Sequence, residues 1–437
     1  MIRSRRAQIL MTAAACLLSI ALPSASGAEG ATGGLAADPA YGGDGTAEMA
    51  ATCGDPSSLE ADGPAGQFYV LVQCGRRLQV AALGSDGEPL PGFGAAGVAQ
   101  VPRPARWGHL SPVGLVVDAS GRITVGLMKL DRFEDYSSDT AVIRLQPDGS
   151  ADQGFGQGGI AVIPGKRVGV MTEFMAVDPR GRTVVLRQND SERFEMTRLR
   201  SNGSVDRRFG SNGRVLGSVS DRRVKEAEPR ALVMDGATPY IVTDATVPWK
   251  PGWVRPAVAV VRITRHGRID QRFGKRNGRA VVPLPTSGSG ATIDGVVDAR
   301  GRLIVAALDQ NDADTRTWTL VRRLTSTGRV DRRFARHAGT ILARGPESLE
   351  SLGLVGQRPV VVLTKPARSG RDIAQVHGFT ATGRPWLALG AGGVASVPAS
   401  GRDYNDWSSI SSAGLYRSAS CYCADPIQVQ RFVTGPQ

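Results

Sequence analysis

The stretch DRRFGSNGRV (residues 206–215) decides the fold because it recurs. The chain reads DQRFGKRNGRA from Asp270, DRRFARHAGTI from Asp331, DQGFGQGGI from Asp152 and DPAYGGDGT from Asp38. Aligned on the aromatic residue, seven copies fall at Tyr41, Phe93, Phe155, Phe209, Phe273, Phe334 and Leu389, spaced by 52, 62, 54, 64, 61 and 55 residues. Asp stands three residues earlier in five copies, and Leu90 and Trp386 replace it in the other two. Gly follows the aromatic everywhere except at Ala335. Each residue type has a turn-building reason. Asp accepts backbone hydrogen bonds and closes the turn, Gly takes a positive φ that a Cβ resists, and the aromatic plugs the gap to a neighbouring unit. Aspartates spread over separate units do not converge on one ion, so no metal site is expected from them.

Two more elements repeat inside each period. Apolar hairpins read GLVVDASGRITVGLM (114–128), FMAVDPRGRTVVLRQ (174–188) and GVVDARGRLIVAALD (295–309). Single strands ending in a turn read TAVIRLQPDG (140–149), FEMTRLRSNG (194–203), VAVVRITRHG (258–267) and TLVRRLTSTG (319–328). Short runs rich in Val, Ile and Leu, bounded by Asp-Gly or Asn-Gly, are strands and turns. No stretch carries a helical period. Four strands (a to d) per period, seven times over, predict an all-β, seven-bladed β-propeller. The recurring turn then links strand c to strand d. The chain starts with a turn and strand d and ends with strands a, b and c. The N-terminal strand is therefore expected to complete the last blade, which removes an exposed edge.

The joint spacing of Asp, Phe and Gly resembles the delta-60 repeat β-propeller proteins, a bacterial family whose repeat runs DGxxDxxFGxxGxV. The likeness covers nearly all of the chain after its first residues and weakens around Phe93 and Leu389. It implies the propeller fold and frequent export, with no established activity and no catalytic residues to carry over.

Residues 1–28 have the form of an export signal: Arg3, Arg5 and Arg6, an apolar run from Ile9 to Leu22, then the small residues of PSASGA. Residues 29–437 are expected to form the propeller, secreted, monomeric and not membrane-embedded. Arg5-Arg6 suits either the general or the twin-arginine route, although Gln8 sits where the latter wants an apolar residue. Four cysteines remain, Cys53, Cys74, Cys421 and Cys423, an even count that suits disulfides in an exported chain. A local Cys53–Cys74 bond leaves Cys421 and Cys423 to bridge each other across one residue, a strained geometry. A bond from Cys53 to the CYC segment is favoured, because that segment sits between strands b and c of the blade that the N-terminal strand completes.

The formal charge is +13, of which the leader supplies three. Arginine dominates, with only six lysines in the chain. A GC-rich genome explains that bias without function; an anionic partner such as a cell-surface polymer explains it with one. Nucleic acid is not expected, since no nucleic-acid module is recognisable. The c–d turns gather a basic rim of Arg207, Arg208, Arg272, Arg276, Arg332 and Arg333, while the b–c loops on the opposite face are acidic. Aromatics cluster in loops of that acidic face: Trp107 with His109, Trp249, Trp253, and Tyr404 with Trp407 beside Asp403 and Asp406. Flat rings beside acids suit a glycan or peptide ligand; the plainer reading is loop packing. There is no nucleophile elbow, HExxH or phosphate loop, and no cofactor or metal is expected. The resulting expectation is a non-catalytic binding or scaffold propeller. The alternative is a lyase or hydrolase with a carboxylate site at the central channel.

Overall fold

The computed structural model describes residues 34–49, 55–74, 77–105, 107–130, 139–165, 172–188, 192–275, 277–285, 293–310, 317–335, 340–345, 347–365, 373–398, 406–410, 414–419 and 427–434. Two short strands open the chain, β1 (Leu35–Ala37) and β2 (Thr46–Met49). Blade I holds β3 (Asp55–Asp62), β4 (Phe68–Cys74), β5 (Arg77–Leu83) and β6 (Val98–Gln100). In blade II come β7 (His109–Val117), β8 (Ile123–Leu130), β9 (Thr140–Leu145) and β10 (Ile160–Ile163). Blade III has β11 (Thr172–Val177), β12 (Thr183–Gln188), β13 (Arg193–Leu199) and β14 (Arg214–Ser218). Blade IV is larger: β15 (Lys225–Asp235), β16 (Thr238–Lys250), β17 (Trp253–Arg262) and β18 (Arg279–Pro283). Blade V follows with β19 (Ile293–Val297), β20 (Leu303–Gln310), β21 (Thr317–Arg323) and β22 (Thr340–Gly345), and blade VI with β23 (Ser348–Val355), β24 (Arg358–Lys365), β25 (Ile373–Gly378) and β26 (Val394–Pro398). The last strands, β27 (Asp406–Ile410), β28 (Leu415–Ala419) and β29 (Ile427–Thr434), belong to blade VII.

Blades I to VI are antiparallel meanders in chain order, and the first strands touch in succession from β3 to β27. The seven-bladed propeller is thus the fold of this chain. Blade VII closes it as expected, with one addition. On its free edge β29 pairs with β2, Met49 facing Ile427 and Thr46 facing Gln430. Further along the same edge it pairs with β1, Ala37 facing Phe432 and Leu35 facing Thr434. Both halves of the outer edge come from the N-terminal segment, so no long edge of β29 is left unpaired.

The interior is seven separate apolar clusters, one between each pair of neighbouring blades. Every motif aromatic is buried in the cluster that its own blade shares with the next. Around five of them the same machine recurs. Arg144, Arg198, Arg262, Arg323 and Arg431 pair with Asp152, Asp206, Asp270, Asp331 and Asp38 at 2.6–2.8 Å. Each guanidinium also lies 4.2–4.6 Å over the ring of Phe155, Phe209, Phe273, Phe334 or Tyr41. The other Asp oxygen accepts a backbone N–H two residues on, as from Arg272 and Arg333 at 3.0 Å. Four of these arginines then reach the next blade, as when Arg198 Nη1 donates to the carbonyl of Arg265 at 2.8 Å and Arg431 Nη1 to that of Ser85 at 2.6 Å, while Arg144 Nη1 is buried without an acceptor. The residue after the aromatic does the same with its backbone, Gly210 N to His266 O at 2.9 Å and Gly274 N to Thr327 O at 2.8 Å.

The two copies without Asp also lack the Arg. Ala82 makes the backbone contacts made elsewhere by Arg144 or Arg198, and Leu90 those of the aspartate; Gly378 and Trp386 replace the pair in blade VI. In blade I Tyr69 packs edge-on to Phe93 at 5.7 Å instead. The joint replacement has a physical cause, since one buried charge without its partner costs far more than losing both.

Candidate functional site

Arginine in this ring falls into distinct groups. Five serve the seams described above. Three more close a–b turns, with Arg122, Arg182 and Arg302 held by Asp118, Asp178 and Asp298 at 2.5–2.8 Å. A third group gathers where blade IV meets its neighbours. A cleft of about 700 Å³ there is lined by Arg223, Arg255, Lys275, Arg279, Arg329 and Arg332, with no carboxylate among the described residues of its walls.

Each element reaches this cleft for a local reason. Arg223 comes from the connection into β15, where Asp221 Oδ1 accepts the Arg223 backbone N–H at 2.7 Å and fixes the turn. Arg279 opens β18 and is buried; its guanidinium donates to the carbonyls of Ser218, Val219, Ser220 and Asn277 at 2.6–3.1 Å. Burial lowers the Arg279 pKa, opposed by the Asp221 carboxylate 3.9 Å away. Arg279 is thus a cationic floor and a structural brace. Arg329 and Arg332 come from the c–d turn of blade V and are exposed. Arg255 lies on β17, where its Nε–H is buried without an acceptor. Among the described residues no carboxylate pairs with Arg223, Arg255, Lys275, Arg329 or Arg332. Such a concentration of cations in a concave site of ligand size raises the local potential for an anion.

A wall of the same cleft is a hairpin arm. Residues 246–256 were expected to be a loop, yet β16 and β17 continue as paired strands to a two-residue turn at Pro251 and Gly252 (φ +76°). The β-branched run TPYIVTDATV extends the strand, and Pro-Gly supplies the reversal. Val247 and Pro248 line the cleft, and the arm ends in Trp249, Trp253 and Val254, which are 47%, 64% and 50% exposed. Lys250 Nζ sits 4.4 Å over the Trp249 ring.

A second cleft, about 870 Å³, lies between the turns of blades III and IV and includes Arg180, Arg200, Arg208, Arg265 and His266. Its two carboxylates, Asp178 and Asp206, are held by Arg182 and Arg198.

The structure disperses the other residues singled out from sequence. Arg332 lines the first cleft and Arg208 the second, while Arg207, Arg272 and Arg333 are exposed and line neither. Trp107 is buried, at 8% exposure, in the core between blades I and II. His109 is exposed at the start of β7. Asp406 and Trp407 belong to β27, but their side chains, with Asp403, Tyr404, Arg276, Cys53, Cys421 and Cys423, lie outside the described residues; Cys74 ends β4 and its side chain does too. Missed from sequence were Arg223, Arg255 and Arg329, which three separate segments bring together only when the ring forms.

Three carboxylates of the described first strands have identified partners, and one of them, Glu228, shares Arg230 with Asp244. Glu173 meets Arg187 at 3.1 Å, Glu228 meets Arg230 at 2.9 Å, and Asp294 accepts the N–H groups of Gly295 and Leu352 at 2.6 and 2.9 Å. Among the described residues no three His, Cys, Asp or Glu stand close enough to hold a metal, and no helix is long and apolar enough to cross a membrane.

Residues 132–155 match the model of the family described as Domain of unknown function (DUF5122) beta-propeller. No curated protein matches the chain. Among solved structures, an ulvan lyase of polysaccharide lyase family PL25 aligns at 10% identity and TM-score 0.48, over 89% of this chain and 95% of that one. Another polysaccharide lyase aligns at 10% identity and TM-score 0.47, over 84% and 88%. Drosophila plexin A, solved with semaphorin 1b, aligns at 9% identity and TM-score 0.41, over 88% of each chain. These likenesses carry no statement about ligand or activity.

Proposed function

We propose that this propeller is a non-catalytic binding protein that holds an anionic polymer in the basic cleft beside β18. The observation that carries the reading is the cleft's lining of six cationic side chains with no carboxylate among its described residues, Asp221 standing behind Arg279. Arginine suits this work because its planar fork grips carboxylate, sulfate or phosphate oxygens with two hydrogen bonds at once. The export-like residues 1–28 support a role outside the cytoplasm, where surface polymers are the abundant polyanions. Calorimetric titration of the ring with dextran sulfate tests the proposal. Binding is expected at low salt, is weakened at least tenfold at about 0.5 M salt by screening, and is lost on Arg223→Glu with Arg332→Glu. Unchanged affinity in that variant overturns it.

A further inference from the structure

We infer that the polymer is an anionic polysaccharide, read jointly by the cations of the cleft and by the tryptophans at the tip of the β16–β17 arm. The inference rests on the anion-binding reading above and names its ligand class.

Three observations carry it. The first is continuity. Val247 and Arg255 face each other across the arm and both line the cleft, and the next pairs outward are Pro248 with Val254 and Lys250 with Trp253. At about 3.3 Å per residue, Trp253 stands only ~7 Å beyond Arg255. One ligand strand of a few sugar units spans both. The second is chemistry. Trp253 and Val254 are the exposed apolar part of the tip, while Trp249 carries Lys250 on its ring. An indole presents a flat apolar surface with a polar edge, which matches the C–H face of a pyranose while hydroxyls and acidic groups turn to the cations. A bare polyphosphate has no apolar face to use that ring.

The third is shape. Apart from Lys250, the cations sit in a concave cleft rather than on the tip, so a flat anionic membrane would touch the tryptophans and leave most of the charge unmet. Single-stranded nucleic acid also combines rings with phosphates, but its usual platforms offer several aromatics spaced for successive bases. Here the tip offers two rings, 47% and 64% exposed, and the first carries a lysine on its face.

The test measures dissociation constants of the whole ring for three probes: a short dextran sulfate, inorganic polyphosphate and oligothymidylate. Trp253→Ala is expected to weaken dextran sulfate about tenfold and to leave polyphosphate within twofold. Trp253→Phe, which keeps a flat ring, should recover most of the loss. Arg223→Glu with Arg332→Glu should weaken both probes. Unaltered melting of the exposed Trp253 variants confirms that the fold is intact. Equal loss for both probes, or loss for neither, overturns the polysaccharide assignment and leaves the anion cleft standing. Tighter, Trp253-dependent binding of oligothymidylate reassigns the ligand and also overturns it. Failure of the unaltered ring to bind any of the three overturns the cleft reading itself.

Discussion

Two sets of arginines in one ring behave oppositely. At the seams each guanidinium is flanked by an aspartate, an aromatic face and, at several seams, a carbonyl of the next blade; Arg198 and Arg323 are 4% exposed. In the cleft beside β18, Arg223, Arg329 and Arg332 are exposed with no carboxylate among the described residues of the walls. The difference teaches that the high arginine content is not one property. Seam arginines hold the blades in register, turn arginines fix hairpins, and the unneutralised remainder gives this face its positive field.

Breaking a seam gives the largest expected effect. Asp206→Ala leaves Arg198 buried without its counter-ion and should cost about 3–5 kcal/mol in chemical unfolding. The double change Arg198→Ala with Asp206→Leu copies what Ala82 and Leu90 already do in blade I. It should cost clearly less than Asp206→Ala alone. An equal or greater loss would refute the view that the pair is kept or discarded as a unit.

A smaller loss tests the backbone half of the seam. A Cβ on Gly267, whose φ is +75°, would lie 2.3 Å from the Gly210 amide nitrogen. Gly267→Ala should cost about 1–3 kcal/mol from strain alone, and Gly252→Ala at the arm tip, where a Cβ meets nothing within 4 Å, should cost less. Comparing their urea midpoints separates close approach from φ strain.

Acid probes the same contrast more gently. Burial works to raise the carboxyls of Asp206 and Asp331, yet hydrogen bonds and charge from Arg198 and Arg323, with backbone N–H groups, outweigh it and hold both below the ordinary carboxylate range. A depressed folded pKa means stability that is complete above the unfolded value of about 3.9 and lost as pH falls through the folded value. The share of the urea midpoint that these two aspartates supply should therefore hold steady from neutral pH to about 5 and be lost below about 4. In the Arg198→Ala, Asp206→Leu variant that loss should be smaller. Smallest of all, Arg332→Glu should shift stability by no more than about 0.5 kcal/mol, as an exposed substitution does.

Most of the ring was legible in the repeat, because the turn residues that set blade number are consecutive in sequence. Asp38, Asp152, Asp206, Asp270 and Asp331 announced the turns, and Tyr41 and Phe209 announced the seam cores. The seam arginines were visible too, eight residues before each of four aspartates, but a fixed spacing across a strand and a turn is not a familiar motif. Trp249 and Trp253 read as loop residues in the sequence, and only the continued pairing of β16 with β17 shows them on a hairpin arm. Of the cleft, the sequence pointed only to Arg332, through the basic rim of c–d turns. Arg223, Arg255 and Arg329 are separated by 32 and 74 residues, and only ring closure makes them neighbours.

The most direct test of the central claim sets place against net charge. Arg223→Glu, Arg329→Glu and Arg332→Glu together reverse the cleft; Arg207→Glu, Arg272→Glu and Arg333→Glu reverse three exposed arginines outside both clefts. The two variants carry the same formal charge. On a dextran sulfate column developed with a salt gradient, the cleft variant should elute near the start and the second variant close to the unaltered protein. Equal displacement of both would show that retention follows net charge alone and would contradict the account.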